Sequence, residues 1–276
     1  MKRLINLQPE RGGRLLLGLL PFALALLAYL IASAARLADN PGDKLLPSLA
    51  TMGTAIYQMA VVPDVRSGGL LLWADTAASL ARLGWGLGIS AALGLCVGIG
   101  VGITPLLRAG LAPFVAGLSL IPPMAILPIL FIVFGLGEVS KVVLIVFGIA
   151  PVIIRDIQQR VEELPTEQLI RAQTLGASTP SLVLRVVLPQ VLPRLVDAVR
   201  LSLGAAWLFL IAAEAIAATE GLGYRIFLVR RYLAMDIILP YVAWITVLAF
   251  GMDWSLRALS RRAFPWFGAG SARGAA

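Results

Sequence analysis

The chain has 276 residues, of which 59% are hydrophobic and 14% charged, with a mean hydropathy of +0.89 and a formal net charge of +8. No soluble domain of this size stays dissolved at that hydropathy, so the sequence reads as an integral membrane protein. The lack of histidine excludes imidazole acid–base chemistry and imidazole metal sites, the single Cys96 excludes an intrachain disulfide or thiolate cluster, and the basic residues flank apolar runs instead of forming an aromatic-interleaved stripe for nucleic acid.

The N-terminal tail carries Lys2, Arg3, Arg11 and Arg14, and no charge follows until Arg36. A hydrocarbon core about 30 Å thick needs roughly 20 apolar helical residues, which this interval supplies. A competing expectation is a cleaved signal peptide, imitated by the basic start, the apolar run and Ala32-Ser33-Ala34. The length of the uncharged run from Leu15 to Ala35 argues against it. Residues 36–70 read as an external segment with one short amphipathic helix near 46–60, ended by Pro63. Asp75 to Arg82 is amphipathic and is expected to lie along the interface before the second span descends.

The second uncharged interval, between Arg82 and Arg108, holds Gly84, Gly88, Gly94, Gly98 and Gly102. Pairs of small residues four apart allow close helix approach, within this chain or against a second copy. The third interval, between Arg108 and Glu138, contains Pro122, Pro123 and Pro128, each of which removes a backbone donor. A broken helix is expected there, either along an internal pathway or as a kink used for packing. Weaker spans near 138–157, 196–218 and 238–257 bring the number to six. The runs are continuous in Leu, Ala, Ile, Val and Gly instead of alternating, so the fold is an all-α polytopic membrane bundle and not a barrel.

With six spans both termini lie on one side. The tails, Arg108 and the central loop carry fifteen Lys and Arg against eight on the other side, so the termini and the 158–195 loop are expected in the cytoplasm. No internal repeat or long linker interrupts the chain. The division is residues 1–70 (tail, first span, external segment), a core of 71–266, and a tail of 267–276. Ionisable residues inside the later spans are few: Asp253 near the end of the sixth, and Glu214 in the fifth. A carboxylate at that depth either lines a path or gate, or is the buried partner of an Arg or backbone donors.

The central loop reads as two short helices. The first runs from about Thr166, its N-cap, to Leu175 and breaks at Gly176 in a left-handed turn. The second runs from about Ser178, with Pro180 in its first turn, and is stopped by Pro189. Leu169, Leu175, Leu182, Val183, Val186 and Val187 form an apolar face too large for a solvated connector, so the loop is expected to dock on the cytoplasmic side.

Ala172, Leu175, Gly176 and Ala177, with Leu188 and Pro189 twelve and thirteen residues past the glycine, resemble the cytoplasmic "EAA" loop of ATP-binding-cassette (ABC) importer permeases. The likeness covers most of residues 75–266. The segments IPPMAILPILFIVFGLGEVSKVVLI (121–145) and AWLFLIAAEAIAATEGLGYRI (206–226) resemble the nitrate, sulfonate and taurine branch, which also tends to have a Glu at position 214 ahead of Gly221-Leu222-Gly223.

The resemblance implies a type I importer permease in the inner membrane that pairs with a second permease copy. It also implies two separate ATPase subunits, which carry ATP and Mg, and a periplasmic or extracytoplasmic solute-binding protein. The cargo would be a small anion such as nitrate, a sulfonate or taurine, moved by alternating access with no cofactor in this chain. The implied ATPase contacts are Glu167, Ile170, Arg171, Ala172, Leu175, Gly176, Ala177, Leu188 and Pro189. The implied pathway or gating residues are Pro122, Pro123, Pro128, Glu214, Gly221 and Gly223. Ile170 and Arg171 stand where the family often has Glu-Ala, so the acidic contact is missing or replaced, with Glu167 as a candidate substitute. Independently of the resemblance, no G-x-x-x-x-G-K-[ST] run occurs, so this chain has no Walker A loop and any ATP hydrolysis belongs to another polypeptide. The alternatives are an ion-coupled secondary carrier and a non-transporting membrane scaffold.

Overall fold

The computed structural model describes residues 11–65 and 68–267, and every described regular element is helical. Lys2, Arg3, Arg66 and Arg273, with nearly all of the C-terminal tail, lie outside the described residues. α1 (Arg11–Asp39) is the first span, and its apolar window buries nothing against its own chain. Its C-terminal end is tied down: Tyr29 Oη donates to Pro47 O (2.6 Å), Ser33 Oγ to Leu46 O (2.9 Å), and Arg36 pairs with Asp43. α2 (Leu49–Val61) begins at Ser48, whose side chain accepts from Thr51 N, and ends before Pro63 as expected. It packs on α3 (Leu71–Ile103) and α11 (Met235–Ala263).

The molecule is organised around α3 and α6 (Glu138–Glu162), which run parallel and share its most extensive helix–helix contact. Gly86 faces Ile145, Gly94 faces Ile153, Gly98 faces Ile157 and Gly102 faces Val161. Steps of four residues on both helices keep glycine holes opposite β-branched knobs, so the backbones close on each other. A Cβ would lie 2.6 Å from Ile145 at Gly86, 2.8 Å from Ile157 at Gly98 and 2.6 Å from Val161 at Gly102. Three of the five glycines expected at close approaches are therefore used inside the chain. Gly84 and Gly88 face open space.

Because α3 and α6 are parallel, the segment between them must recross the bundle. It does so as α4 (Pro105–Leu120) and α5 (Pro123–Phe134), bent by 97° at Ile121–Pro122. The expected break is therefore present, at Pro122 and Pro123, while Pro128 lies inside α5. Among the described residues four helices are long and apolar enough to cross a membrane, and the bent pair makes a fifth. α6, the weaker span expected near 138–157, is too charged to count by length and composition, and it packs along α3.

One expectation fails at the start of α3. Asp75 to Arg82 does not lie along the interface; it is continuous with the span, and Asp75, Ser79 and Arg82 are buried. The reason is that partners from four other helices satisfy these polar groups, which removes the need for water.

Two expectations fail in the central loop. α7 (Thr166–Thr174) starts one residue early, with Pro165 at the boundary and Thr166 already helical. Pro189 does not stop the second helix. α8 (Thr179–Leu182) continues through a π-turn (Val183–Val187) into α9 (Leu188–Ala217), which carries Pro189 and Pro193 in its first turns. The wider i→i+5 turn absorbs the donor that Pro189 lacks, and Gln190 Nε2 donates to Val186 O at 2.8 Å. Ser178 sits at the start of α8 as expected but makes no side-chain cap.

Candidate functional site

Two regions concentrate the chain's chemistry, at opposite ends of α6. At the N-terminal end of α6, α3 presents Asp75, Ser79 and Arg82 on one face, because positions four and then three apart stack on a helix. All three point at the sharp turn between α9 and α10 (Leu222–Val229). Asp75 accepts from Gly221 N (2.9 Å), Arg225 Nε (2.8 Å) and Tyr241 Oη (3.1 Å). Ser79 Oγ accepts from Leu222 N (2.9 Å) and donates to the Glu214 carboxylate at 2.8 Å. Glu214, fully buried, also accepts from Arg82 Nη1 (2.7 Å) and Gly223 N (2.9 Å). The amides of the N-cap Gly221 and of the first two residues of α10, which no helix can satisfy internally, are thus held by Asp75, Ser79 and Glu214 in turn.

Arg82 links this turn to α6. Its Nη1 also donates to Glu220 O (2.8 Å), its Nη2 to Glu138 Oε1 (2.9 Å), and its Nε bonds Glu138 Oε2. Lys141 Nζ donates to Glu138 Oε1 at 2.7 Å. Glycine is demanded at two points of the turn. Gly221 has φ +127°, and a Cβ there would sit 2.6 Å from the Glu214 carboxyl carbon; one on Gly223 would sit 2.7 Å from Ile211 O. Of the two readings of Glu214, its surroundings are those of a buried ion-pair partner, and Gly221 and Gly223 are packed against it. The sequence reading missed Asp75, Ser79, Arg82, Glu138, Lys141 and Arg225 as members of the cluster. For the first three, the stacked spacing on α3 was the available signal. Asp253, the other ionisable residue of the later spans, lies at the opposite end and pairs with Arg200 (3.0 Å) and Arg257 (2.7 Å).

At the C-terminal end of α6, α7 buries none of its residues fully. It closes in a Schellman arrangement at Gly176 (φ +81°), where Ala177 N donates to Ala172 O (3.0 Å) and Gly176 N to Gln173 O (2.9 Å). One side of the segment is anchored. Leu164, Leu169, Ala172, Val183 and Leu188 pack on a cluster of Ile153, Ile157, Val161, Leu182, Val187 and Val191 from α6, α8 and α9. Gln190 Nε2 adds a bond to Gln168 Oε1 at 3.2 Å. The other side is open: Leu175 is 88% exposed and Ile170 52%, with Glu167 and Arg171 beside them. The structure thus brings the loop residues together as one segment. Leu188 and Pro189 stand at its base and Leu175 at its tip.

An apolar tip on a charged helix, seated on a polytopic bundle that lacks a nucleotide loop, is the arrangement of a membrane subunit worked by a partner. Residues 86–265 match the family of binding-protein-dependent transport system inner membrane components. The chain belongs to that family. It is a multi-pass ABC transporter permease and not itself the ATPase. It is 39% identical over 197 residues to the taurine transport system permease protein TauC of Escherichia coli (strain K12), covering 71% of this chain and 72% of that protein. The bicarbonate transport system permease protein CmpB of Synechococcus elongatus is 31% identical over 232 residues, covering 81% and 82%. The permease fold of the MetNI methionine ABC transporter, in an inward-facing conformation, superposes with a TM-score of 0.57 at 22% identity, over 69% of this chain and 93% of that one.

Proposed function

We propose that this permease is the transmembrane part of an importer for a small oxyanion such as a sulfonate, taurine or bicarbonate, working by alternating access. It would sit in the cell inner membrane with both termini and the 158–195 loop in the cytoplasm, and with residues 71–266 as its core. Two copies pair, each gripped by one ATPase subunit that carries ATP and Mg, and a solute-binding protein delivers cargo from outside. The cargo class is supported by TauC, CmpB and an aliphatic sulfonates permease protein, SsuC of Bacillus subtilis, which is 30% identical over 189 residues.

The observation that carries the coupling role is the two-sided character of residues 166–190. The ATPase presses on Glu167, Ile170, Arg171, Leu175 and the turn at Gly176–Ala177. Ala172, Leu188 and Pro189 pass the push through the apolar cluster into α6 and α9. No acidic side chain occupies positions 170 and 171, so Glu167, one turn earlier on the open side, supplies the negative charge to the partner. The broken helix at Pro122, Pro123 and Pro128 is the element that moves along the path, while Glu214, Gly221 and Gly223 hold the outer gate. Tipping such a two-state bundle from about 1:99 to 99:1 takes roughly 5.5 kcal/mol, within reach of nucleotide binding.

Cysteine crosslinking tests the reading. Cys96 is exposed, so it is first replaced by Ser. Leu175→Cys in the complete transporter is expected to crosslink to the ATPase in cells and to react only with cytoplasmic thiol reagents. Labelling from outside, or no capture of an ATPase, defeats the proposal.

A further inference from the structure

Every charged residue of α6 but one has an opposite charge beside it. Glu138 has Arg82 and Lys141, Asp156 has Arg160 (3.6 Å), and Glu162 has Arg108 (3.0 Å). Arg155 forms no ion pair among the described residues; its one hydrogen bond runs from Nη1 to Ser119 Oγ at 3.0 Å. It stands seven residues before the end of α6, about 10 Å inside it at ~1.5 Å per residue. An arginine with no counter-ion of its own leaves its charge free for a bound anion.

Its surroundings are a cavity and not packed protein. Arg155 and Ser119 face a space of about 650 Å³ between α4 and α6, where Ala112 and Ala116 leave room. Ser119 lies in the last turn of α4, just before the 97° break of the helix proposed above to move along the path. The acidic residues on this wall, Asp156 and Glu162, are already engaged by Arg160 and Arg108, so they do not neutralise Arg155. The neighbouring amides are also committed: Gln158 donates to Glu162 (2.9 Å) and Gln159 to Glu163 (3.2 Å).

We infer that Arg155 and Ser119 form an oxyanion subsite on the inner part of the translocation path, where the guanidinium and hydroxyl hold the solute's anionic group in passing. This rests on the proposed oxyanion cargo. One guanidinium and one hydroxyl bind weakly, which suits a site that must release what it catches. A lipid phosphate offers the same chemistry, so the test must separate the two sources.

The complete transporter, with its ATPase and binding protein, is reconstituted in vesicles with and without anionic lipid, and uptake of taurine, an alkanesulfonate and bicarbonate is measured beside ATP hydrolysis. Wild type must move at least one of them; if it moves none, the cargo reading fails before the subsite is judged. Arg155→Gln is expected to lower uptake per ATP about tenfold in both lipids while hydrolysis stimulated by loaded binding protein persists. Arg155→Lys should keep part of the uptake, and Ser119→Ala should cost a few-fold. Arg155 is exposed, so its truncation removes no buried contact. Uptake per ATP equal to wild type in Arg155→Gln, or a deficit that vanishes without anionic lipid, overturns the subsite.

Discussion

The two ends of α6 are built from opposite materials. At its N-terminal end, the proposed outer end, Arg82, Glu214, Asp75 and Arg225, with the exposed Glu138, knit α3, α6, α9 and α10 together through ion pairs and backbone amides. At its C-terminal end, the proposed inner end, the segment from α7 to the base of α9 is held mainly by aliphatic contacts and one amide pair, and shows its tip to solvent. Buried charges tolerate few alternative arrangements, because each displaced ion is left unpaired in low dielectric. Aliphatic surfaces slide at little cost. The first end is thus suited to holding position and the second to receiving a push.

That contrast makes substitutions behave differently at the two ends. The largest loss is expected for Arg82→Ala, which leaves Glu214 buried without its cation and should destabilise the solubilised protein by about 3–5 kcal/mol in thermal unfolding. Pairing Arg82→Met with Glu214→Leu should recover part of this, since the orphaned charge goes too. If the single variant unfolds like wild type, the outer end is not a clamp. Gly221→Ala comes next, at about 1–3 kcal/mol, from its positive φ and the collision with Glu214. At the inner end Gly176→Ala is expected to cost only about 1 kcal/mol, because its φ is unfavourable but the space around it is open.

The smallest stability effect belongs to Leu175→Asp, within about 0.5 kcal/mol. Its effect on function is the opposite. Coupled uptake should fall about tenfold, the equivalent of an interface anchor worth ~1.4 kcal/mol. Normal uptake in this variant would show that the tip is not gripped, and a large loss of stability would show that the inner end is not the loose one.

Much of this architecture can be read from the chain. The charge-free runs mark α1, α3 and the α4–α5 pair, Pro122 and Pro123 mark the break, and Gly176 marks the turn that ends α7. Each is a local matter: apolar length meets bilayer thickness, and a missing donor or a left-handed turn belongs to one residue. Reading the polar stretch Asp75–Arg82 as interfacial went wrong for a related reason. Polarity in a sequence says only that water or a partner is required.

Which of the two applies was decided by the tertiary structure. Arg82 meets Glu138 and Glu214 at separations of 56 and 132 residues, and Asp75 meets Gly221 at 146. Those meetings depend on the register of α3 on α6, set by Gly86, Gly94, Gly98 and Gly102 closing on Ile145, Ile153, Ile157 and Val161. The same register leaves Arg155 without an acid and gives the carboxylates around it their arginines. Hydropathy marked the apolar helices, and the prolines marked where the chain bends. Side-chain packing between distant helices determined which charges are neutralised, because pairing depends on distance in space and the order of residues along a chain does not encode it.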